Sequence, residues 1–171
     1  MKKIVKFKYH PNIYDLGILS EDKKVCQCCN EETEIFYDQM YCVENINCLC
    51  LDCIASGDAA KKFKGTFIQD AEVSKVHDRR KYAELFEKTP GYESWQGESW
   101  LACCDDFCAF IQEVGTKELE EMGIADEVFE EYNKRNEVKD AREYLVKGGS
   151  LAGYLFQCLH CKKYHLGADA D

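Results

Sequence analysis

Two Cys-x-x-Cys pairs, Cys26–Cys29 and Cys50–Cys53, stand twenty residues apart in this chain. No other feature restricts the fold as tightly. Two residues between cysteines make a tight turn from which both sulfurs reach one ion at about 2.3 Å. Two such turns at this separation fit a tetrahedral site of four thiolates. The second pair lies in CLCLDCIASGDAAKKF, residues 48–63, where Asp52 is a reasonable helix cap and Ile54, Ala59 and Phe63 form an apolar stripe. Thiolates at a helix start are stabilised by the positive end of its dipole.

Between the pairs, TEIFYDQMYC at 33–42 is aromatic and β-prone, with a polar break at Asp38-Gln39, and predicts a hairpin. Cysteine knuckle, hairpin, then a pair at a helix start is the order of a treble-clef zinc finger. Buried free thiols and a CxxC redox couple are the competing readings; a redox turn would not need a second matching pair. Cys28, Cys42 and Cys48 are spare by spacing, and any of them could replace an assigned ligand.

A second constellation follows. Cys158-x-x-Cys161 is a knuckle inside YLFQCLHCKKYHL, which reads as strand, cysteine turn, strand. Cys104 and Cys108 are expected to complete it, with Cys103 beside them. His160 and His165 are candidate substitutes, since neutral imidazole binds zinc well, but read more simply as surface histidines. His10 and His77 lack metal-like neighbours. Asp105 and Asp106, between the cysteines, read as solvated turn residues rather than as an acid/base pair.

Charge and composition remove several functions. The net charge is −10, and thiolates on zinc would make it more negative. Such a surface repels a phosphate backbone. The short basic clusters at Lys61-Lys62-x-Lys64 and Arg79-Arg80-Lys81 read as solvated helix faces. No apolar window of roughly 18 residues predicts a membrane span. Lys6 and Lys8 interrupt any export signal near the start, so a reducing cytosol is expected. There, twelve cysteines are a poor disulfide framework and a good reason to expect metal.

The remaining chain alternates element types. Val73, Val76, Ala83 and Phe86 predict a helix over 72–88, stopped by Thr89-Pro90-Gly91. FCAFIQEV at 107–114 predicts a strand. From Thr116 to Lys147 the chain is acidic and helical in two or three pieces, with Leu119, Met122, Val128, Phe129, Tyr132, Val138, Ala141 and Leu145 apolar. The expected fold is α+β: a small zinc-stabilised domain with a treble-clef-like N-terminal lobe and a second zinc-knuckle lobe carrying a helical insertion. Residues 1–171 form one unit, with lobes at 1–70 and 71–171. Both tryptophans fall in Tyr92-x-x-Trp95-Gln96-x-x-x-Trp100, which suits either a recognition loop or a core staple.

The blocks Tyr9-His10-Pro11, CQCC at 26–29, CLDCIASGDAAKKF at 50–63, TPGYESWQGESWLACCDDFCAFIQEVG at 89–115 and GGSLAGYLFQCLHCKK at 148–163 resemble the CbrC family, bacterial proteins named for tolerance to an E-type colicin. The resemblance spans nearly the whole chain. It implies that Cys26, Cys29, Cys50 and Cys53 form one motif and Cys104, Cys108, Cys158 and Cys161 another. The chain departs from it at Leu51-Asp52, where that family tends to have Pro-Trp, and at Cys103, where it tends to have His. The second departure leaves open whether Cys103 or Cys104 is the ligand. The resemblance carries a phenotype and no activity.

These features favour a binding or regulatory protein of the bacterial cytosol, with two structural zinc ions, no catalytic residue, and a protein partner at Tyr92, Trp95, Gln96 and Trp100. The alternative is an enzyme. A zinc hydrolase would need an open coordination position at the second site, and a thiol redox enzyme a reactive spare such as Cys28 or Cys103.

Overall fold

The computed structural model describes residues 4–136 and 141–171. Strands β1 (Ser20–Val25) and β2 (Glu32–Tyr37) run antiparallel, joined by the first cysteine turn. On the other flank of β2, β3 (Leu49–Cys50) pairs with Phe36 and Tyr37. The hairpin expected over 33–42 is therefore displaced: β2 turns back through the cysteines onto β1. Beyond Tyr37 the chain runs irregularly to β3, touching the body through a bridge between Tyr41 and Thr66.

From β3 the chain passes straight into α1 (Leu51–Ser56) and α2 (Asp58–Phe63). The helix expected here is thus broken in two. Gly57, at φ +85°, closes α1 and opens α2, a conformation that strains residues with a Cβ. Asp52 sits in the first turn of α1; Cys50 occupies the cap position. The apolar stripe does face inward, with Ile54 and Ala59 fully buried.

β4 (Asp70–Ala71) precedes α3 (Arg79–Lys88), which starts later than the apolar spacing suggests. Residues 73–75 form only a 3₁₀ turn, and the helix begins where the Asp78 side chain accepts the Arg80 amide at 2.9 Å. After the tryptophan loop, β5 (Ser99–Trp100) lies parallel to β4. β6 (Ala102–Cys103) and β7 (Asp106–Phe107) form a minimal hairpin. β8 (Ala109–Val114), β9 (Leu151–Gln157) and β10 (Tyr164–Ala170) form an antiparallel sheet in the order β10-β9-β8.

Between β8 and β9 the helical insertion comprises α4 (Thr116–Glu121), α5 (Ala125–Asn136) and α6 (Ala141–Tyr144). It packs on the sheet through Leu119, Val128, Phe129, Ala141 and Leu145 against Leu155 and Leu166. Met122 stays largely exposed, and Val138 lies outside the described residues.

The central core is aromatic. Tyr92 stacks on Phe110 at 4.5 Å between ring centres, and Trp100 meets Phe156 edge-on at 5.6 Å. The Trp100 indole N–H donates to the Cys108 carbonyl at 2.8 Å, which satisfies its one polar atom. The N-terminal segment joins this core: the Tyr9 carbonyl accepts the Phe110 amide at 2.8 Å, and Tyr9 meets Phe107 edge-on. His10 is fully buried here, with Nδ1 2.9 Å from the Pro90 carbonyl.

Candidate metal centres

Two sets of four cysteines converge. Cys26, Cys29, Cys50 and Cys53 form one, Cys103, Cys104, Cys158 and Cys161 the other, and within each set the sulfurs lie within 4.8 Å of one another. In the first, the turn between β1 and β2 supplies Cys26 and Cys29. The end of β3 supplies Cys50, and the first turn of α1 supplies Cys53.

The first turn has a defined hydrogen-bond pattern. The Cys26 amide donates to the Glu31 carbonyl at 2.9 Å, and the Asn30 amide returns to the Cys26 carbonyl at 2.9 Å. Asn30 adopts φ +64° to close the loop. Amides of Cys28 and Cys50 then point at the Cys26 sulfur, at 3.4 and 3.2 Å. Burial opposes ionisation of Cys26, but these amide donors outweigh it and bring its thiol down to about 7. The Gln27 side-chain carbonyl accepts from Asn47 and Cys48 amides at 2.6 and 3.0 Å. Lys62, expected to be a solvated surface cation, donates to the carbonyls of Gln27 and Cys28 at 2.7 and 2.8 Å and so braces the turn.

The turn between β9 and β10 repeats this pattern residue for residue. The Cys158 amide donates to the Lys163 carbonyl at 2.9 Å, the Lys162 amide to the Cys158 carbonyl at 3.2 Å, and Lys162 adopts φ +63°. Amides of His160 and Cys161 point at the Cys158 sulfur, each at 3.4 Å. Burial again opposes ionisation and the amides again outweigh it, leaving this thiol at about 7. One cysteine turn is thus built twice from unrelated neighbours.

The other half of the second cluster differs from the expected set, gathering Cys103 and Cys104 in place of Cys104 and Cys108. Cys108 is fully exposed to none of the solvent: it is 0% accessible, at the head of β8 inside the aromatic core, and stands outside the cluster. Cys103 takes its place, and the choice between Cys103 and Cys104 dissolves because both are present. Their sulfurs lie 3.7 Å apart, and the Cys103 sulfur is 3.8 Å from that of Cys161. Adjacent residues on a strand point to opposite faces. The hairpin turn overrides this, since Cys104 and Asp105 both adopt left-handed conformations at φ +55° and +57°.

Asp106 is likewise misread as a solvated turn residue. It is 2% exposed and accepts from the Tyr9 hydroxyl at 2.7 Å, Lys8 Nζ at 2.9 Å and His160 Nε2 at 3.0 Å. Burial opposes its ionisation, but those donors hold its carboxyl below the usual carboxylate range. It thereby ties the N-terminal segment to the second cysteine turn. His160 serves that contact, and His165 faces Glu131 at 3.3 Å; neither joins a sulfur cluster. Cys28, Cys42 and Cys48 also lie outside both clusters.

The four expected recognition residues divide. Tyr92 and Trp100 are buried in the core. Trp95 is 55% exposed, its indole N–H on the Gly149 carbonyl at 3.1 Å. Gln96 is pinned to the β10 end, its amide to Asp169 at 3.0 Å and its side chain to the Ala170 carbonyl at 2.8 Å.

Comparison with known proteins covers the whole architecture. The model of the Uncharacterised protein family (UPF0167) matches residues 4–170. A UPF0167 protein of Pseudomonas aeruginosa is 32% identical over 174 residues, spanning 95% of each chain. UPF0167 proteins of Mycobacterium bovis and Mycobacterium tuberculosis are each 32% identical over 177 residues, covering 98% of this chain and 94% of theirs. No solved structure matches. The matching family and these relatives all carry the UPF0167 name, which overturns the assignment to the CbrC family and with it the expectation of colicin tolerance. The chain belongs to the UPF0167 family.

Proposed function

We propose that this chain is a binding or regulatory protein in which each sulfur cluster holds a structural zinc ion. Cys26, Cys29, Cys50 and Cys53 would hold one; Cys103, Cys104, Cys158 and Cys161 the other. The observation that carries this reading is the sulfur spacing. A tetrahedron with zinc–sulfur bonds of about 2.3 Å has edges of about 3.8 Å. The sulfur pairs Cys29–Cys50, Cys103–Cys104 and Cys103–Cys161 stand at 3.8, 3.7 and 3.8 Å. Four thiolates leave no position for water or substrate, so the ion would cross-link segments rather than activate a nucleophile. The hydrolase alternative asked for a missing ligand at the second cluster, and Cys103 fills that place.

The order of the first lobe supports a treble-clef-like unit: a cysteine turn, a short paired strand, then a helix carrying the last ligand. Tyr9 from the first lobe sits in one core with Trp100 and Phe156 from the second, which supports a single folding unit over 1–171. No helix among the described residues is long and apolar enough to cross a membrane. A net charge of −10 favours a protein partner over nucleic acid. Trp95 and Gln96, exposed and hydrogen-bonded near the sheet end, would meet one in the cytosol.

Native mass spectrometry of protein purified without added metal tests the reading. The expected result is two zinc ions per chain. A well-folded chain without metal, or a disulfide inside either quartet, would overturn it.

A further inference from the structure

A cavity of about 300 Å³ opens where the irregular chain after β2 meets the tryptophan loop. Glu98 lines it and is 4% exposed. A carboxylate so placed is costly unless something compensates its charge. The Tyr41 hydroxyl donates to Glu98 Oε2 at 2.6 Å, and the Gln69 amide reaches the same atom at 3.3 Å. Both donors are neutral, and among the described residues no cation pairs with Glu98. Burial pushes the Glu98 carboxyl above the usual carboxylate range, and these donors offset that only in part.

The second oxygen is the available one. Oε1 receives no hydrogen bond from another described residue. It lies close over Gly91, where a Cβ would stand 2.0 Å from it, so a glycine at 91 leaves the oxygen its place.

The rest of the wall is apolar and acidic. Tyr37, Phe67 and Ile46 line the cavity and are buried, with the first two rings tilted at 6.1 Å between centres. Asp38 and Glu44 add negative charge, and no lysine, arginine or histidine lines it. These acids do not converge. Among the described residues, only the two sulfur quartets bring three or more ligand groups close enough for a metal ion. One carboxylate beside aromatic faces suits an organic cation better than a bare metal ion. About 300 Å³ lies at the lower end for small-molecule sites, which fits a short chain.

We infer that this cavity binds a small aliphatic primary amine as its ammonium ion. An ammonium N–H donates to Glu98 Oε1, and the hydrocarbon chain lies against Tyr37, Phe67 and Ile46. The carboxylate and the apolar wall suffice for this whatever the cysteines hold.

NMR of the ¹⁵N-labelled full chain, titrated with n-butylammonium chloride, tests it. The amides of Gln69 and Glu98 should shift and saturate. n-Butanol has the same chain without the charge and should bind roughly tenfold or more weaker. Glu98→Gln keeps an acceptor for Tyr41 and should cost the ammonium a similar factor. Asn45→Trp, at an exposed residue of the cavity wall, should also cost roughly tenfold by filling the space, and it decides the matter where Glu98→Gln folds poorly. Glu87→Gln, on an exposed position of α3 outside the cavity lining, should bind as the parent does. Metal content measured on every variant separates lost binding from damage to the sulfur clusters. Equal affinity for n-butanol and n-butylammonium would overturn the inference. So would undiminished binding in both cavity variants, or a loss in Glu87→Gln equal to theirs, which would mean diffuse charge attraction. An acetyl-Gly-Lys-Gly-amide peptide that bound tenfold tighter than n-butylammonium would give the site to a protein lysine and overturn the small-ligand reading as well.

Discussion

Cys103 and Cys108 lie five positions apart, in and just after the same hairpin, and are chemically identical, yet the structure gives them opposite fates. Replacing each with serine should separate them. Cys103 stands 3.7 and 3.8 Å from the sulfurs of Cys104 and Cys161, at the edge length of a zinc tetrahedron. Structural zinc contributes on the order of 10 kcal/mol or more, so each of four thiolates carries about 3 kcal/mol, equivalent to roughly a hundredfold in affinity. Cys103→Ser should therefore release the second metal to a chelator that leaves the first in place. Cys108 is fully buried among aromatic rings and stands outside both sulfur clusters. Its serine variant exchanges a thiol for a buried hydroxyl, which costs about 1–3 kcal/mol. In a chain of this length that lowers the melting temperature by roughly 3–10 °C while both metals stay bound. The assay is a chelator competition with colorimetric zinc detection, followed by native mass spectrometry. If Cys108→Ser lost a metal and Cys103→Ser kept both, the geometric assignment would be wrong and the sequence spacing right.

His10 predicts an acid-sensitive component of stability. Its burial pulls the folded pKa down to about 4, below the value of about 6.5 in an unfolded chain. The neutral ring is the one that fits, so its contribution is complete above pH 6.5 and is lost progressively as pH falls toward 4. Between pH 7 and pH 5 this amounts to about 2 kcal/mol, measurable as a larger drop in urea midpoint for the parent than for His10→Phe, with thiolate protonation common to both. The tryptophans should also part company. Trp100→Ala empties the core and should cost about 3–5 kcal/mol, whereas Trp95→Ala, at an exposed site, should change the thermal midpoint by only a few degrees and retain both metals. Comparable losses in the two variants would refute the division of the loop into core and surface.

What the sequence disclosed followed the range of the physics involved. A Cys-x-x-Cys turn is decided within six residues by its own amides, so Cys26–Cys29 and Cys158–Cys161 could be read directly. The knuckle flanked by strands at 154–166 was legible for the same reason. Cys103 was not, because its meeting with Cys104 depends on two left-handed residues without glycine, which spacing rules do not anticipate. Cys108 satisfied a spacing rule and failed a facing rule: as the first residue before β8 it belongs to the core side of the sheet. Asp106 was hidden because its partners, Lys8 and Tyr9, lie 98 and 97 residues away. The late start of α3 was in principle visible, since Asp78 is a strong cap, but the apolar spacing from Val73 pointed upstream of it.

The two cysteine turns invite a comparison that spacing alone could not make. Each places one sulfur, on Cys26 or on Cys158, under amide donors that lower its thiol to about 7, although burial acts the other way. For Cys158 the donors are the turn's own amides, whereas Cys26 also draws on the Cys50 amide from the end of β3. The remaining cysteines come from a helix start at the first cluster and from a strained hairpin at the second. The local turn is therefore the shared part, and the distant pair is where the two clusters differ. That division places the strain of the second site in Cys104 and Asp105, and it gives Asp106, gripped by Lys8, Tyr9 and His160, a reason to be buried. A hairpin bent into left-handed geometry holds its sulfurs in register when its next residue is fastened to the rest of the fold.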